Sequence, residues 1–314
     1  MNEMYFDNAA TTKVSDEAAK AAFDVMTQYY GNPSSAHAKG LEAEHILKKA
    51  RHSVMSALGY TPKDGSLIFT SCGTESNNTV FFGAYEVLGK RKSNVVISDS
   101  EHPSVEMCAR ELEKKGVEIR RIPTKGGSLD LDFAEKAIDG KTMLISCMLV
   151  NNETGAVYDI KSLDAIKKRN APDAFLHTDA VQGFCKLPYS LSCLGADLIS
   201  VSGHKVHAMK GVGALFIKKG IRIPVRMHGG GQESGLRSGT ENLAGIASFG
   251  KAVEEYIAEK AERLEKIKEL YAFTKKTLAE KYPYILINSP ENGAPHILSI
   301  SVPGIRSEIM LRVL

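Results

Sequence analysis

Residues 197–205 read DLISVSGHK, and KGVGALFIK follows at residues 210–218. The first apolar run predicts a buried strand, which ends in Ser202 and Gly203 just before Lys205. A lysine that is held at a strand end and partly desolvated loses its proton more easily, as a Schiff-base lysine requires. A lone lysine is more often a solvated surface charge. The functional interpretation of Lys205 therefore depends on residues elsewhere in the chain.

Apolar runs and amphipathic segments alternate on both sides of this strand. This pattern predicts an α/β fold, in which a mostly parallel central sheet is flanked by helices. Because the carboxyl ends of parallel strands meet at one edge, we expect the residues that follow the strands to lie close together. The predicted strands are residues 66–70, 94–98, 117–122, 142–150, 174–178, 197–201 and 213–218, and the first predicted helices are residues 15–30, 36–58 and 74–88.

The pattern changes after residue 239. One long helix is predicted over residues 241–281, followed by strands in YILINS and HILSISV and a helix start in SEIMLRVL. We therefore predict two domains. Residues 15–258 form a large cofactor-binding α/β domain, and residues 1–14 with 259–314 form a smaller α+β domain.

Composition sets limits on partners and location. The chain has 314 residues, 43% of them hydrophobic and 25% charged, with a formal net charge of +3. These values are ordinary for a globular protein and give no reason to expect nucleic acid or a membrane as partner. The start lacks the features of a signal peptide, so we expect a cytoplasmic protein. The five cysteines show no metal-ligand spacing, and we predict reduced thiols and no metal site.

A phosphate site is predicted where SCGTESNN, residues 71–78, follows a strand and opens a helix. The start of a helix offers free backbone N–H groups, and Thr74 adds a hydroxyl. The alternative is an ordinary helix cap without a ligand. The segment is not a Walker A loop, because it lacks the Gly-Lys-Ser/Thr sequence.

Two further side chains follow predicted strands. Asp179 would place a carboxylate at the same sheet edge as Lys205, where it could pair with a protonated pyridine nitrogen and make that ring an electron sink. The alternative is that Asp179 caps the next turn. His102 could stack on a flat ring and handle protons, or be a half-exposed loop histidine.

Two loops complete the pattern. Amides in NNETG, residues 151–155, could reach a ring substituent, although such turns are common after strands. The loop GGGQESGLRSGTEN, residues 229–242, could approach an anion or a partner subunit, or be a flexible connector. A lysine, a strand-end aspartate, a phosphate site and a loop histidine together form the set that pyridoxal phosphate requires.

Several motifs, in this order, resemble those of the NifS/IscS-like cysteine desulfurases. This family lies in the class V branch of the fold type I pyridoxal-phosphate enzymes. The resemblance runs from the start of the chain to its end and implies the fold type I architecture. Its motifs are YFDNAATT, GNPSSAH, GTESNN, EHPSV, VNNETG, HTDAVQG, SVSGHKVHAMKGVGALF and RSGTEN.

The resemblance implies a role for each matching residue. Lys205 would hold the cofactor covalently and move the substrate's Cα proton, Asp179 would pair with the pyridine nitrogen, and His102 would stack on the ring. Other residues would bind the phosphate or the ring oxygen: Gly73, Thr74, Ser202 and His204 the phosphate, Asn152 and Gln182 the ring oxygen. Thr240 would reach the phosphate of the partner subunit, which implies a homodimer.

The resemblance also implies a reaction. L-Cysteine would give L-alanine and an enzyme persulfide, whose sulfur passes to an acceptor such as an iron–sulfur scaffold protein. In the family, the nucleophilic cysteine and a substrate-binding arginine lie beyond the position that matches Leu314. We therefore expect that the C-terminal part of the small domain is missing and that the chain as given binds the cofactor but turns over cysteine poorly.

Three alternatives stay open. Another class V enzyme, an aminotransferase or a selenocysteine lyase, would share most of the cofactor residues. A chain that binds the cofactor without catalysis would be an incompetent fragment or an assembly partner. A Rossmann dehydrogenase is disfavoured, because no G-x-G-x-x-G turn follows the first strand.

Overall fold

A seven-stranded sheet forms the centre of the computed structural model, which describes residues 4–224 and 226–313. Its strand order is β1-β9-β8-β7-β6-β2-β3. Two short hairpins lie outside this sheet, β4 with β5 and β10 with β11. The strands are β1 Gly65–Thr70, β2 Asn94–Ser98, β3 Glu118–Ile122, β4 Thr124–Lys125, β5 Ser128–Leu129, β6 Thr142–Ser146, β7 Phe175–Asp179, β8 Leu198–Ser202, β9 Gly213–Lys218, β10 Leu286–Ile287 and β11 Ile300–Ser301.

The sheet is mostly parallel. Strand β9 is antiparallel to both β1 and β8, and the pairs from β8 to β3 are parallel. Gly213 at the start of β9 lies opposite both Thr70 at the end of β1 and Ser202 at the end of β8. The carboxyl ends of β1, β2, β6, β7 and β8 therefore share one edge, and the predicted α/β fold class is confirmed.

Helices cover both faces of the sheet. Successive strand residues point to opposite faces, so Ile68 joins the core under α3 and α4, whereas Leu67 and Phe69 join the core under α1, α2 and α7. The helices of the described residues are α1 Asp16–Thr27, α2 Ala38–Leu58, α3 Gly73–Leu88, α4 Pro103–Glu113, α5 Leu131–Ala137, α6 Ile160–Asn170, α7 Leu243–Ala258, α8 Lys260–Lys281 and α9 Ser307–Val313.

Several element boundaries differ from the sequence predictions. The single helix predicted over residues 241–281 is wrong, because Glu259 leaves helical geometry at φ −105° and ψ 9° and separates α7 from α8. The strand predicted over residues 142–150 ends at Ser146. Beyond it, the backbone N–H of Leu149 still donates to the carbonyl of Asp179 over 2.9 Å, which holds this segment against the site edge.

Residues 259–313 contain α8, the β10–β11 hairpin and α9. The segment around Ala294 contacts the large sheet unit, since its N–H donates to the carbonyl of Gly155 over 2.7 Å. The division into domains near residue 259 stays a prediction. In the described part of the chain, no helix is long and apolar enough to cross a membrane.

Candidate active site

A cavity of about 520 Å³ opens at the edge where the parallel strands end. Thr240 does not line this cavity; it is exposed and borders a separate one of about 140 Å³ beside Arg237. All the other residues that the sequence analysis selected line the large cavity: Gly73, Thr74, His102, Asn152, Asp179, Gln182, Ser202, His204 and Lys205.

Lys205 lies at the end of a short 3-10 turn that directly follows β8. Its Nζ donates to the carbonyl of Ala9 over 2.5 Å and to that of Ala10 over 2.8 Å. Burial lowers the pKa of Lys205, and the carboxylates of Asp7 and Asp179 oppose this effect. Since an amine with a lowered pKa is more readily available as a nucleophile and base, Lys205 is suited to bond a carbonyl carbon.

Asp179 ends β7 and is 6% exposed. Its Oδ1 accepts the N–H of Val181 over 3.0 Å, and its Oδ2 accepts the side-chain amide of Asn77 over 2.7 Å. Burial raises the pKa of Asp179, while these two hydrogen bonds oppose the rise. The turn-capping alternative is confirmed, since one carboxylate oxygen caps the next turn, and the side chain also faces the cavity.

His102 is the cap residue of α4, and Pro103 is the first residue of that helix. The Nδ1 atom of His102 accepts the backbone N–H of Ser104 over 3.1 Å and lies 2.8 Å from the Ser104 hydroxyl. A ring nitrogen that accepts an N–H bond carries no proton. The imidazole is therefore the neutral tautomer with its proton on Nε2.

The start of α3 lacks a side-chain cap, because its cap residue is Cys72 and makes no such bond. Glu75 points away, accepting the N–H of Ser71 over 2.7 Å and pairing with Arg237 over 2.9 Å. The first N–H groups of α3 are therefore free for a ligand. Because a helix start favours negative charge, this end of the cavity is suited to an anion.

Three further features fit a phosphate group beside α3. The hydroxyl of Ser202 is buried without a hydrogen-bond partner among the described residues. A Cβ at Gly73 would lie 2.9 Å from Cγ2 of Val181, so only glycine allows this close approach. Burial lowers the pKa of His204 to about 4, which keeps this ring neutral near pH 7. The residues present therefore fit the phosphate of a pyridoxal cofactor.

Gln182 faces the cavity through a fixed side chain. Its Nε2 donates to the carbonyl of Ala9 over 2.7 Å, and its Oε1 accepts Nζ of Lys186 over 3.2 Å. Lys186 is 6% exposed, and burial lowers its pKa to about 7. Asn152 lines the cavity from the turn after β6, which Asn151 stabilises by accepting the N–H of Thr154 over 2.8 Å.

A second carboxyl group is buried next to His102. Glu101 accepts the hydroxyl of Ser98 over 2.5 Å and the N–H of Met148 over 2.9 Å. Burial raises the pKa of Glu101 to about 8, so this side chain is mostly neutral at pH 7. Asp179 lines the cavity and Glu101 does not, so Asp179 is the better placed of the two to balance a cation there.

The sequence analysis missed several residues around the cavity. Asn77 and Ser104 join Asp179 to His102, and Lys186 holds Gln182. Asn77 had a signal in the sequence, since it is polar on a helix face that is otherwise apolar. Lys186 follows Gln182 by one helical turn, but nothing in the sequence marks it as buried. Nothing in the sequence marks the backbone carbonyls of Ala9 and Ala10 as partners of Gln182 and Lys205.

All five cysteines are free thiols. Burial raises the pKa of Cys108 and Cys185 to about 12 and that of Cys147 well above its usual value, which disfavours the reactive thiolate. Cys193 is exposed, and Cys72 lines the cavity.

A mostly parallel sheet with a lysine, an aspartate and an uncapped helix start at one edge defines a fold type I enzyme of the kind that uses pyridoxal phosphate. The family model described as "Aminotransferase class-V" matches residues 4–314. The chain belongs to this family, which depends on pyridoxal phosphate.

Similar proteins carry more specific names. The chain is 38% identical over 311 residues to the "Cysteine desulfurase IscS" of Dictyoglomus turgidum, covering 98% of this chain and 78% of that protein. It is 36% identical over 318 residues to the "Cysteine desulfurase NifS" of Azotobacter vinelandii, covering 100% of this chain and 78% of that protein. A solved structure titled "NIFS-LIKE PROTEIN" superimposes with a TM-score of 0.95 at 37% identity, covering 99% of this chain and 85% of that one.

Proposed function

We propose that this protein is a cysteine desulfurase that depends on pyridoxal phosphate and converts L-cysteine to L-alanine, while the substrate sulfur passes to a cysteine thiolate of the enzyme as a persulfide. One observation carries the proposal. Lys205, Asp179, His102 and the uncapped start of α3 surround one cavity in a chain that is 38% identical to a protein named "Cysteine desulfurase IscS".

Each residue of the cavity would contact a different part of the cofactor. Lys205 would bond its aldehyde carbon, Asp179 its ring nitrogen, and His102 would lie against its ring. Gln182 and Asn152 would contact the ring oxygen. The remaining residues would hold its phosphate at the start of α3: Gly73, Thr74, Ser202 and His204. When bound, the cofactor supplies an electron sink for the pair left at the substrate's Cα.

The chain's own residues supply the proton chemistry. Because burial lowers the pKa of Lys205, its freed amine can accept the Cα proton of the substrate at Nζ. Asp179 would stabilise positive charge on the ring nitrogen, since a buried carboxylate requires a cationic partner. His102 presents Nε2–H as a hydrogen-bond donor.

The assembly and the sulfur acceptor are part of the proposal. Thr240 would contact the phosphate in the partner subunit of a homodimer; its exposure and its distance from its own cavity support this role. The names IscS and NifS of the relatives support an acceptor such as an iron–sulfur scaffold protein. We further propose a cytoplasmic location.

Product analysis tests the function. The purified protein is incubated with pyridoxal phosphate and L-cysteine in the presence of a thiol reductant, and alanine and sulfide are quantified. We expect slow formation of alanine that depends on Lys205, absent in Lys205→Ala and retained in Lys210→Ala, a control whose exposed side chain is outside the cavity.

Parallel reactions contain selenocysteine, or an amino acid with a keto acid. Preferential alanine release from selenocysteine would indicate a selenocysteine lyase. Transfer of the amino group to the keto acid without alanine from cysteine would indicate an aminotransferase. Either result, or no product that depends on Lys205, would contradict the proposal.

A further inference from the structure

Asn77 links Asp179 to Ser104, two residues of the cavity lining, from a position outside that lining. It lies on α3, is fully buried and does not line the cavity. Its Nδ2 donates to the hydroxyl of Ser104 over 2.8 Å and to Oδ2 of Asp179 over 2.7 Å. One amide group therefore uses both of its N–H bonds on residues that belong to the site.

The direction of each bond follows from the groups present. Because the Asp179 carboxylate can only accept, Asn77 must present its NH₂ group and not its carbonyl. The hydroxyl of Ser104 accepts from Asn77 and is left to donate its own proton to Nδ1 of His102, 2.8 Å away. This second donor fixes the same neutral tautomer of His102 that the backbone N–H of Ser104 selects.

The carbonyl of Asn77 makes no hydrogen bond. Its Oδ1 is buried and has no partner among the described residues, which is unfavourable. The two bonds that Nδ2 donates are therefore the hydrogen bonds that hold the Asn77 side chain in place.

We infer that Asn77 is a positioning residue that couples Asp179 to His102 through Ser104. The chain of bonds fixes the Asp179 carboxylate toward the ring nitrogen and directs Nε2–H of His102 into the cavity. This inference rests on the proposed function and adds a residue to its site. Asn77 acts through its neighbours, because it does not itself face the cavity.

Two variants interrupt the chain and two serve as comparisons. Asn77→Leu removes both donors at similar size, and Ser104→Ala removes the middle hydroxyl with a smaller change in packing. Ser104→Thr keeps a hydroxyl and should restore the wild-type behaviour. Asn78→Leu is the matched control, since Asn78 neighbours Asn77 on α3 but donates to the carbonyl of Thr74 over 2.9 Å.

The first measurement is ¹⁵N NMR of histidine-labelled protein without cofactor, with the His102 signals assigned from their loss in His102→Asn. We expect a non-protonated Nδ1 and a protonated Nε2 in the wild type, Ser104→Thr and Asn78→Leu. In Ser104→Ala, the backbone N–H of residue 104 still keeps Nδ1 non-protonated, but loss of the hydroxyl donor should move the Nδ1 signal further from the protonated position. Asn77→Leu releases the same hydroxyl from its fixed orientation and should also shift the Nδ1 signal. Unchanged His102 signals in both interrupting variants would overturn the inference.

The second measurement is the dissociation constant of pyridoxal phosphate, followed by the absorbance of the bound cofactor. Loss of one charge-assisted hydrogen bond to Asp179 predicts a weakening of about tenfold in Asn77→Leu. Asn78→Leu should remain within about twofold of the wild type, a change below the contribution of one hydrogen bond. Equal affinities of Asn77→Leu and Asn78→Leu would overturn the coupling.

The two measurements distinguish a failure of the proposed function from a failure of the inference about Asn77. If the wild type does not bind pyridoxal phosphate, the proposed function fails, while the NMR result still tests the bond chain. If Asn77→Leu does not fold, Ser104→Ala and its Ser104→Thr rescue decide the matter. A wild-type His102 signal in Ser104→Ala would then overturn the inference.

Discussion

Replacement of the buried Lys186 by methionine should change how stability depends on pH. Lys186 is 6% exposed, and the Gln182 carbonyl accepts its Nζ over 3.2 Å. Burial lowers its pKa from 10.5 to about 7, with the charge of Lys205 adding to the effect. Between about pH 7 and pH 10.5, Lys186 binds a proton in the unfolded chain but not in the folded protein.

The sign follows from this difference in bound protons. Stability rises with pH wherever the unfolded state binds more protons. The Lys186 contribution is therefore most unfavourable below about pH 7, at about 5 kcal/mol, and is relieved as the pH approaches 10.5. Between about pH 7.5 and about pH 9.5, the wild type should gain about 2.5 kcal/mol relative to Lys186→Met.

Urea unfolding followed by circular dichroism at these two pH values measures the effect. Loss of the donor to Gln182 adds a cost of about 1–3 kcal/mol that does not depend on pH, so the change between the two conditions is diagnostic. Lys266→Met, at an exposed position on α8, is the control. The same difference from wild type at both pH values would refute a buried lysine with a lowered pKa.

Three other predictions concern stability and the cofactor turn. Asp197→Ala leaves the ammonium groups of Lys167 and Lys218, 2.6 Å and 3.2 Å from the carboxylate, without their partner. It should lower the free energy of unfolding in urea by about 3–5 kcal/mol, and Asp197→Asn should lower it less. Gly213→Ala places a Cβ 2.8 Å from the backbone of the turn before α3. It should cost about 1–3 kcal/mol and weaken cofactor binding, whereas Gly140→Ala, with nothing within 4 Å of its added Cβ, should do neither. Burial lowers the pKa of His177 to about 3, so the wild type should lose about 2 kcal/mol more than His177→Gln between about pH 7 and about pH 5; parallel acid unfolding curves would contradict this.

Much of the sheet could be predicted because its strands are short, buried apolar runs. Residues 94–98 and 213–218 were predicted with the bounds that the structure has. The antiparallel direction of β9 was not predicted, since an apolar run does not encode its direction. The break at Glu259 was missed because no glycine or proline marks it and the helical pattern continues on both sides.

The residues at the strand ends could be predicted for a related reason. Asp179 ends β7 and Lys205 lies in the short turn after β8, so the topology brings them to one edge whatever the detailed packing. Asn77 and Ser104 could not be found in this way. Their bonds depend on how α3 packs against α4 and β7, and that arrangement arises from many side-chain contacts at once.

The central claim is that Lys205 holds pyridoxal phosphate covalently, and reduction with borohydride tests it most directly. The protein is incubated with the cofactor, reduced, and analysed by intact mass and peptide mapping. The account predicts one phosphopyridoxyl group, located on Lys205 and absent in Lys205→Ala. Absence of the adduct, or its location on Lys186 or another lysine in the wild type, would contradict the account.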